Sequence, residues 1–155
     1  MATSAVPAAI DALLAILRAA PALDGVDVID GPPLDDGSTH DWVAIGWQPT
    51  GDEGAQLGQT FAYAGGRRRD EESLIHGWAE SWTGDGDIRV PRLRAFELLG
   101  VIESAIRNSD AQPAAANLGG VVLWSEFSAG LLRQVSDDMG LKAGIGFSIA
   151  CRARI

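Results

Sequence analysis

Residues 73–83 read Ser73-Leu74-Ile75-His76-Gly77-Trp78-Ala79-Glu80-Ser81-Trp82-Thr83. In an extended chain successive side chains point to opposite faces, so Leu74, His76, Trp78 and Trp82 share one side while Ile75, Gly77, Ala79 and Ser81 share the other. The stretch predicts a strand covered on both faces. Thr83-Gly84-Asp85-Gly86-Asp87 is a turn, and Pro91 then opens a helix. Leu93, Phe96, Leu99, Val101, Ile102 and Ile106 predict its broad apolar stripe. Run from Pro91 to Arg107, this helix is about 25 Å long at ~1.5 Å per residue, enough to cross most of a sheet face.

Upstream, Ser4 and Pro7 mark a helix start, and Val6, Ile10, Leu13, Leu14 and Leu17 recur at helical spacing until Pro21. Val26–Ile29 is a short strand closed by Asp30-Gly31-Pro32-Pro33. The acidic segment from Leu34 to His40 is a loop, and Asp41–Trp47 is a second strand, aromatic and β-branched. A glycine-rich excursion follows, with a brief strand at Gln59–Tyr63 and a close at Gly65-Gly66. Loops this long in compact domains are functional or mobile, so residues 49–70 are expected to form an arm, flexible alone and ordered by a partner. Downstream, 112–117 is an alanine-rich connection, Val121–Phe127 a strand, and Leu141–Ala153 a closing strand after Met139-Gly140. The order implies an α/β (α+β) domain spanning 1–155. It has an antiparallel or mixed sheet of four to five strands, with two helices packed on one face.

A chain of 155 residues buries about 68–70% of the surface its unfolded form exposes, enough for one core. No run reaches the ~20 apolar residues of a membrane span, and Asp11 sits where a signal peptide needs bases, so a cytosolic protein is expected. Cys151 is the one cysteine, leaving no disulfide or thiolate zinc cluster within a chain. The net charge of −9 argues against general nucleic-acid binding. That charge is lopsided: residues 1–60 hold nine acids against Arg18, while the chain from Arg67 onward is nearly balanced.

Catalytic chemistry finds little support. His40 with Asp30, Asp35, Asp36 and Asp41 could hold a cation or serve a hydrolase as general base, yet the spacing matches no metal motif, and acids beside Gly and Pro are ordinarily solvated turn formers. There is no Gly-x-Ser-x-Gly elbow, and His76 between Leu74 and Trp78 reads as a packed or interfacial histidine. The glycine pairs lack the spacing and lysine of a phosphate loop. No catalytic residue, metal ligand or cofactor site is expected. Contact residues are the better expectation: Arg67, Arg68 and Arg69 joined to Asp70, Glu71 and Glu72 could pair with the reverse polarity on a neighbour. Five Trp exceed what a small core needs, which leaves one or two, Trp47 and Trp82, as contact anchors.

In order and spacing, Val26-Asp27-Val28-Ile29-Asp30-Gly31-Pro32, Asp41–Gly46, Arg69–Gly84, Arg92–Ile106, Leu118-Gly119-Gly120-Val121 and Phe147–Ile155 resemble the tail terminator (tail completion, minor tail protein U-like) proteins of long-tailed phages. The resemblance spans most of the chain. It implies a structural virion protein, assembled in the host cytoplasm, that forms a hexameric ring on the head-proximal end of the tail tube. Such a ring stops tube polymerisation and offers a surface to the head connector, and DNA passes its lumen without specific binding. Neighbouring neck, connector and tube proteins share small α/β folds, so those roles stand as alternatives.

Overall fold

The computed structural model describes residues 2–34, 39–51, 53–109 and 116–155. Helix α1 (Val6–Ala19) is followed by strands β1 (Asp27–Asp30), β2 (Trp42–Ile45), β3 (Ala55–Phe61) and β4 (Arg69–Thr83), helix α2 (Arg89–Arg107), and strands β5 (Trp124–Asp137) and β6 (Gly140–Arg154). The sheet is mixed and six-stranded, one strand more than the sequence implied, and both helices pack against it.

β4 organises the sheet. Along one edge it pairs with β6 over its whole length, from Asp70↔Arg154 to Thr83↔Leu141. Its other edge is shared: Arg69–Ile75 pair antiparallel with β3, and Gly77–Glu80 pair antiparallel with β2. β1 lies parallel to β2 at one flank, and β5 pairs with β6 at the opposite flank. β5 runs to Asp137, ten residues past the expected end at Phe127, because it forms a long hairpin with β6. Its residues there are mostly exposed, so the apolar alternation that marks a half-buried strand is absent.

The helices cover the face bearing Ile75, Ala79, Phe147, Ile149 and Cys151, which form the main core with Leu13 and Leu17 of α1 and Leu98, Ile102 and Ile106 of α2. Burying one such Leu or Ile is worth about 1.5–3 kcal/mol. The α1 start is held by Ser4, whose Oγ accepts the Val6 N–H at 3.0 Å. α2 starts two residues ahead of Pro91, with Asp87 Oδ1 accepting the Arg89 N–H at 3.0 Å. Its buried series is Pro91, Ala95, Leu98, Ile102 and Ile106. Leu93 and Phe96, expected in the apolar stripe, are instead half exposed. Leu93 and Ile102 are nine residues apart, which at ~100° per residue places them on opposite sides of a helix.

On the far face of the sheet the expectation that both faces of β4 are covered holds only in part. Among the described residues no helix lies on it, and Leu74, His76, Glu80 and Trp82 are only partly buried. A small aromatic cluster of Trp42, Ala44 and Trp78, with Ile29 and Trp47 against it, covers this face locally. Gly144 makes it possible: a Cβ there would overlap the Trp78 indole, just as one at Gly77 would overlap the Phe147 ring on the helix face.

Candidate functional site

The arm expected over 49–70 is a hairpin limb rather than an unpaired excursion. β3 makes seven register pairs with β4, and Ala62 N–H donates to Arg68 O at 3.0 Å to close the tip. Most of its side chains face solvent, with Phe61 70% and Tyr63 65% exposed, beside exposed Arg67 and Arg68. Glycine and polar residues thinned the strand signal here, since only Leu57, Thr60 and Phe61 favour extended chain.

The charged run Arg67–Glu72 divides at Arg69. Arg67 and Arg68 are exposed and Arg69 is half-buried, its backbone exchanging hydrogen bonds with Ile155 at 2.8 Å each way. The acids, by contrast, bond within the subunit. Asp70 accepts from Arg154 Nε at 2.7 Å and from Arg152 Nη2 at 3.3 Å. The hydrogen bond from Arg154, helped by Arg152, holds the Asp70 carboxyl below its ordinary range. Glu71 was expected at an interface and is instead 1% exposed. Its oxygens accept the Ala5 N–H at 2.9 Å and Gln59 Nε2 at 2.6 Å, and Gln59 Nε2 also reaches Thr3 O at 2.7 Å. Glu71 thus ties the start of α1 to the arm. Glu72 is exposed, 3.8 Å from Arg152.

Of the two tryptophans singled out, Trp47 is half-buried with its ring centroid 6.1 Å from that of Trp42. Trp82 is half-buried and donates from Nε1 to Met139 O at 3.0 Å, latching the end of β4 to the β5–β6 turn. Trp42 donates from Nε1 to Glu80 Oε2 at 2.7 Å. Beside this cluster lies a hollow of about 230 Å³ lined by Trp42, Trp47, Trp78, Arg133 and Lys142. Lys142 is nearly buried and sits 3.4 Å from Asp137. The Met139 backbone N–H, with Lys142 behind it, holds Asp137 below the ordinary carboxylate range.

The Asp30–Asp41 loop does not converge as a site in its described part. His40 Nε2 lies 2.6 Å from Asp27, which is outside the Asp30–Asp41 group. Asp41 accepts from Arg94 Nε at 2.7 Å, which raises the Arg94 pKa and fastens β2 to α2. Asp35 and Asp36 lie outside the described residues. Among the described residues no group of three or more His, Cys, Asp or Glu is gathered for a metal ion, and no helix is long and apolar enough to cross a membrane. His76 Nδ1 lies 2.9 Å from Ser148 Oγ, while its Nε2 is buried with no hydrogen-bond partner among the described residues. Burial pushes the Cys151 thiol up to about 12, so it has little thiolate at neutral pH.

Exposed large apolar groups include Leu57, Phe61 and Tyr63 on the arm, Val90, Leu93 and Phe96 on the outer side of α2, and Leu131 and Val135 on β5, with Leu34, Val121, Leu123 and Met139 exposed in the connections. Exposed apolar side chains of this kind offer contact surface. Compared with protein-family models and with curated proteins, the sequence matches none.

Proposed function

We propose that the protein is a structural subunit of a phage tail, a terminator that assembles as a homo-hexameric ring on the head-proximal end of the tail tube. There it stops tube polymerisation and presents a surface to the head connector. It acts by contact and not by catalysis, it binds no cofactor, and DNA passes the ring lumen without specific recognition. The observation that carries this reading is the arm. A hairpin limb that exposes Phe61 and Tyr63 beside Arg67 and Arg68 has the composition of an interface anchor, with rigid aromatic area flanked by arginine. The order of motifs along the chain, which resembles the tail terminators, supplies the rest. The test is particle assembly without the protein. Tails of unlimited length, shortened to a fixed length when purified protein is added back, support the terminator role. Normal tails detached from heads would instead assign a connector, and an unchanged particle would remove the protein from the tail altogether.

A further inference from the structure

The strand registers run rows of side chains across the sheet, and two neighbouring rows of the far face end in complementary groups. One row is Asp27, Trp42, Glu80, Gly144, Arg133, with an exposed aspartate on β1 at one flank and an arginine on β5 at the other. The next row is Ile29, Ala44, Trp78, Gly146, Leu131, with a half-buried isoleucine at the first flank and an exposed leucine at the second. β1 and β5 also run in opposite directions, since β1 is parallel to β2 and each later step from β2 through β4 and β6 to β5 is antiparallel. Laid side by side at the same level, β1 of one copy and β5 of another would therefore be antiparallel, with Arg133 opposite Asp27 and Leu131 opposite Ile29.

We infer that these two flanks dock on each other, β5 of one copy against β1 of the next, as the lateral contact of the assembly. The inference rests on the ring-subunit reading and names which surfaces close the ring. The occupant of each flank is a second copy of this chain, and charge complementarity argues for it. Asp24, Asp27 and Asp30 are exposed around β1, Asp27 keeping its side chain 66% exposed although His40 Nε2 lies 2.6 Å from one of its oxygens, while Arg133 is exposed on β5 and Arg92, donating to Gln134 Oε1 at 3.2 Å, adds a cation on the helix face of the same flank. Asp137 on the same strand is already matched by Lys142, and Glu126 lies beyond the irregularity at Phe127/Ala129, away from the Arg133 level. The contact joins unlike surfaces, which is what a closed ring requires, whereas a two-fold dimer joins like to like. Arg18 donates to Val28 O at 3.1 Å and covers part of the β1 edge, so side-chain charge and apolar fit, more than a continued backbone ladder, select the partner.

Charge reversal tests this on the full chain. Asp27→Lys, Arg133→Glu, the double variant and an equimolar mixture of the two single variants are compared with wild type by mass photometry, alone and with tail-tube preparations. Each single reversal is expected to raise the concentration for half-assembly by about tenfold or more, and the double variant and the mixture to recover it to within about twofold. A single variant that assembles like wild type, or a double variant as weak as the singles, overturns the flank contact. Wild type that assembles while both reversals are silent sinks the contact but leaves the ring reading; wild type that never assembles sinks both. Should a reversal fail to fold by circular dichroism, Asp27→Asn and Arg133→Gln replace it. Assembly of these must lose the salt dependence seen in wild type, and unchanged salt dependence overturns the proposal.

Discussion

Substituting Gly144→Ala tests the far-face packing with one methyl group. The added Cβ would overlap the Trp78 indole, and Trp78 is 5% exposed, fixed in its cluster with Trp42 and Ala44. Overpacking of this kind costs about 1–3 kcal/mol. Replacing glycine also stiffens the unfolded chain, which offsets about 0.4–1 kcal/mol. Because the overlap falls on the body of a buried indole, the upper part of that range, about 2–3 kcal/mol, applies; the net loss is about 1–2.6 kcal/mol, which at roughly 2–4 °C per kcal/mol for a chain of this size lowers Tm by about 2–10 °C. Gly58→Ala is the control, since no atom lies within 4 Å of a Cβ there. It should leave stability unchanged or raise it by up to about 1 kcal/mol. Urea denaturation followed by far-UV circular dichroism reads both. In a Trp78→Ala background the Gly144→Ala penalty should largely vanish. Undiminished stability of Gly144→Ala, or a double-mutant coupling under about 0.5 kcal/mol, would refute the reasoning.

Glu71→Ala leaves the Ala5 N–H without its buried acceptor and should cost about 1–3 kcal/mol, with faster amide exchange at the start of α1; unchanged exchange there contradicts the tie between α1 and the arm. Asp70 has a folded pKa depressed by Arg154 and Arg152, so its contribution is present above the ordinary carboxylate value near 3.8 and is lost as pH falls through the folded value. Asp70→Asn should therefore flatten the acid side of the stability profile, and a profile that keeps its wild-type shape contradicts the assignment. Cys151 should resist alkylation in the native protein at pH 8 and react once denatured, so rapid native labelling would show that its thiol is not held near 12. Phe61→Ser with Tyr63→Ser should change stability by no more than about 0.5 kcal/mol while weakening attachment to tube ends; a large loss of stability would make the arm aromatics structural instead.

Much of the fold was legible because a few segments carry strong periodic signals. The alternation over Ser73–Thr83 and Leu141–Ala153 located the two long paired strands, and Leu13, Leu14 and Leu17 located the buried side of α1. Where the signal weakened, so did the reading. α2 was placed correctly, but large apolar residues were given to its core side, and Ala95, which packs with Ala143 and Ile145, was overlooked because a small side chain carries little hydrophobic weight. The exposed half of β5 has no inward alternation to read, and its place depends on β6, far along the ladder. At the candidate surface, charge type could be read but not pairing. Asp70, Glu71 and Glu72 look alike in sequence, yet the bonds of Asp70 to Arg154 and of Glu71 to Ala5 and Gln59, and the approach of Glu72 to Arg152, arise from a register that brings the chain's two ends together at β4. His40 with Asp27 is likewise a product of the β1–β2 pairing, in which Asp27 lies beside Trp42.

The most direct test of the central claim is the mass of the purified protein measured alone and on isolated tail tubes, with imaging of where it binds. The account predicts closed rings of copies seated at one tube end, formed alone or only on the tube. A protein that stays monomeric under both conditions and leaves tube ends bare contradicts it.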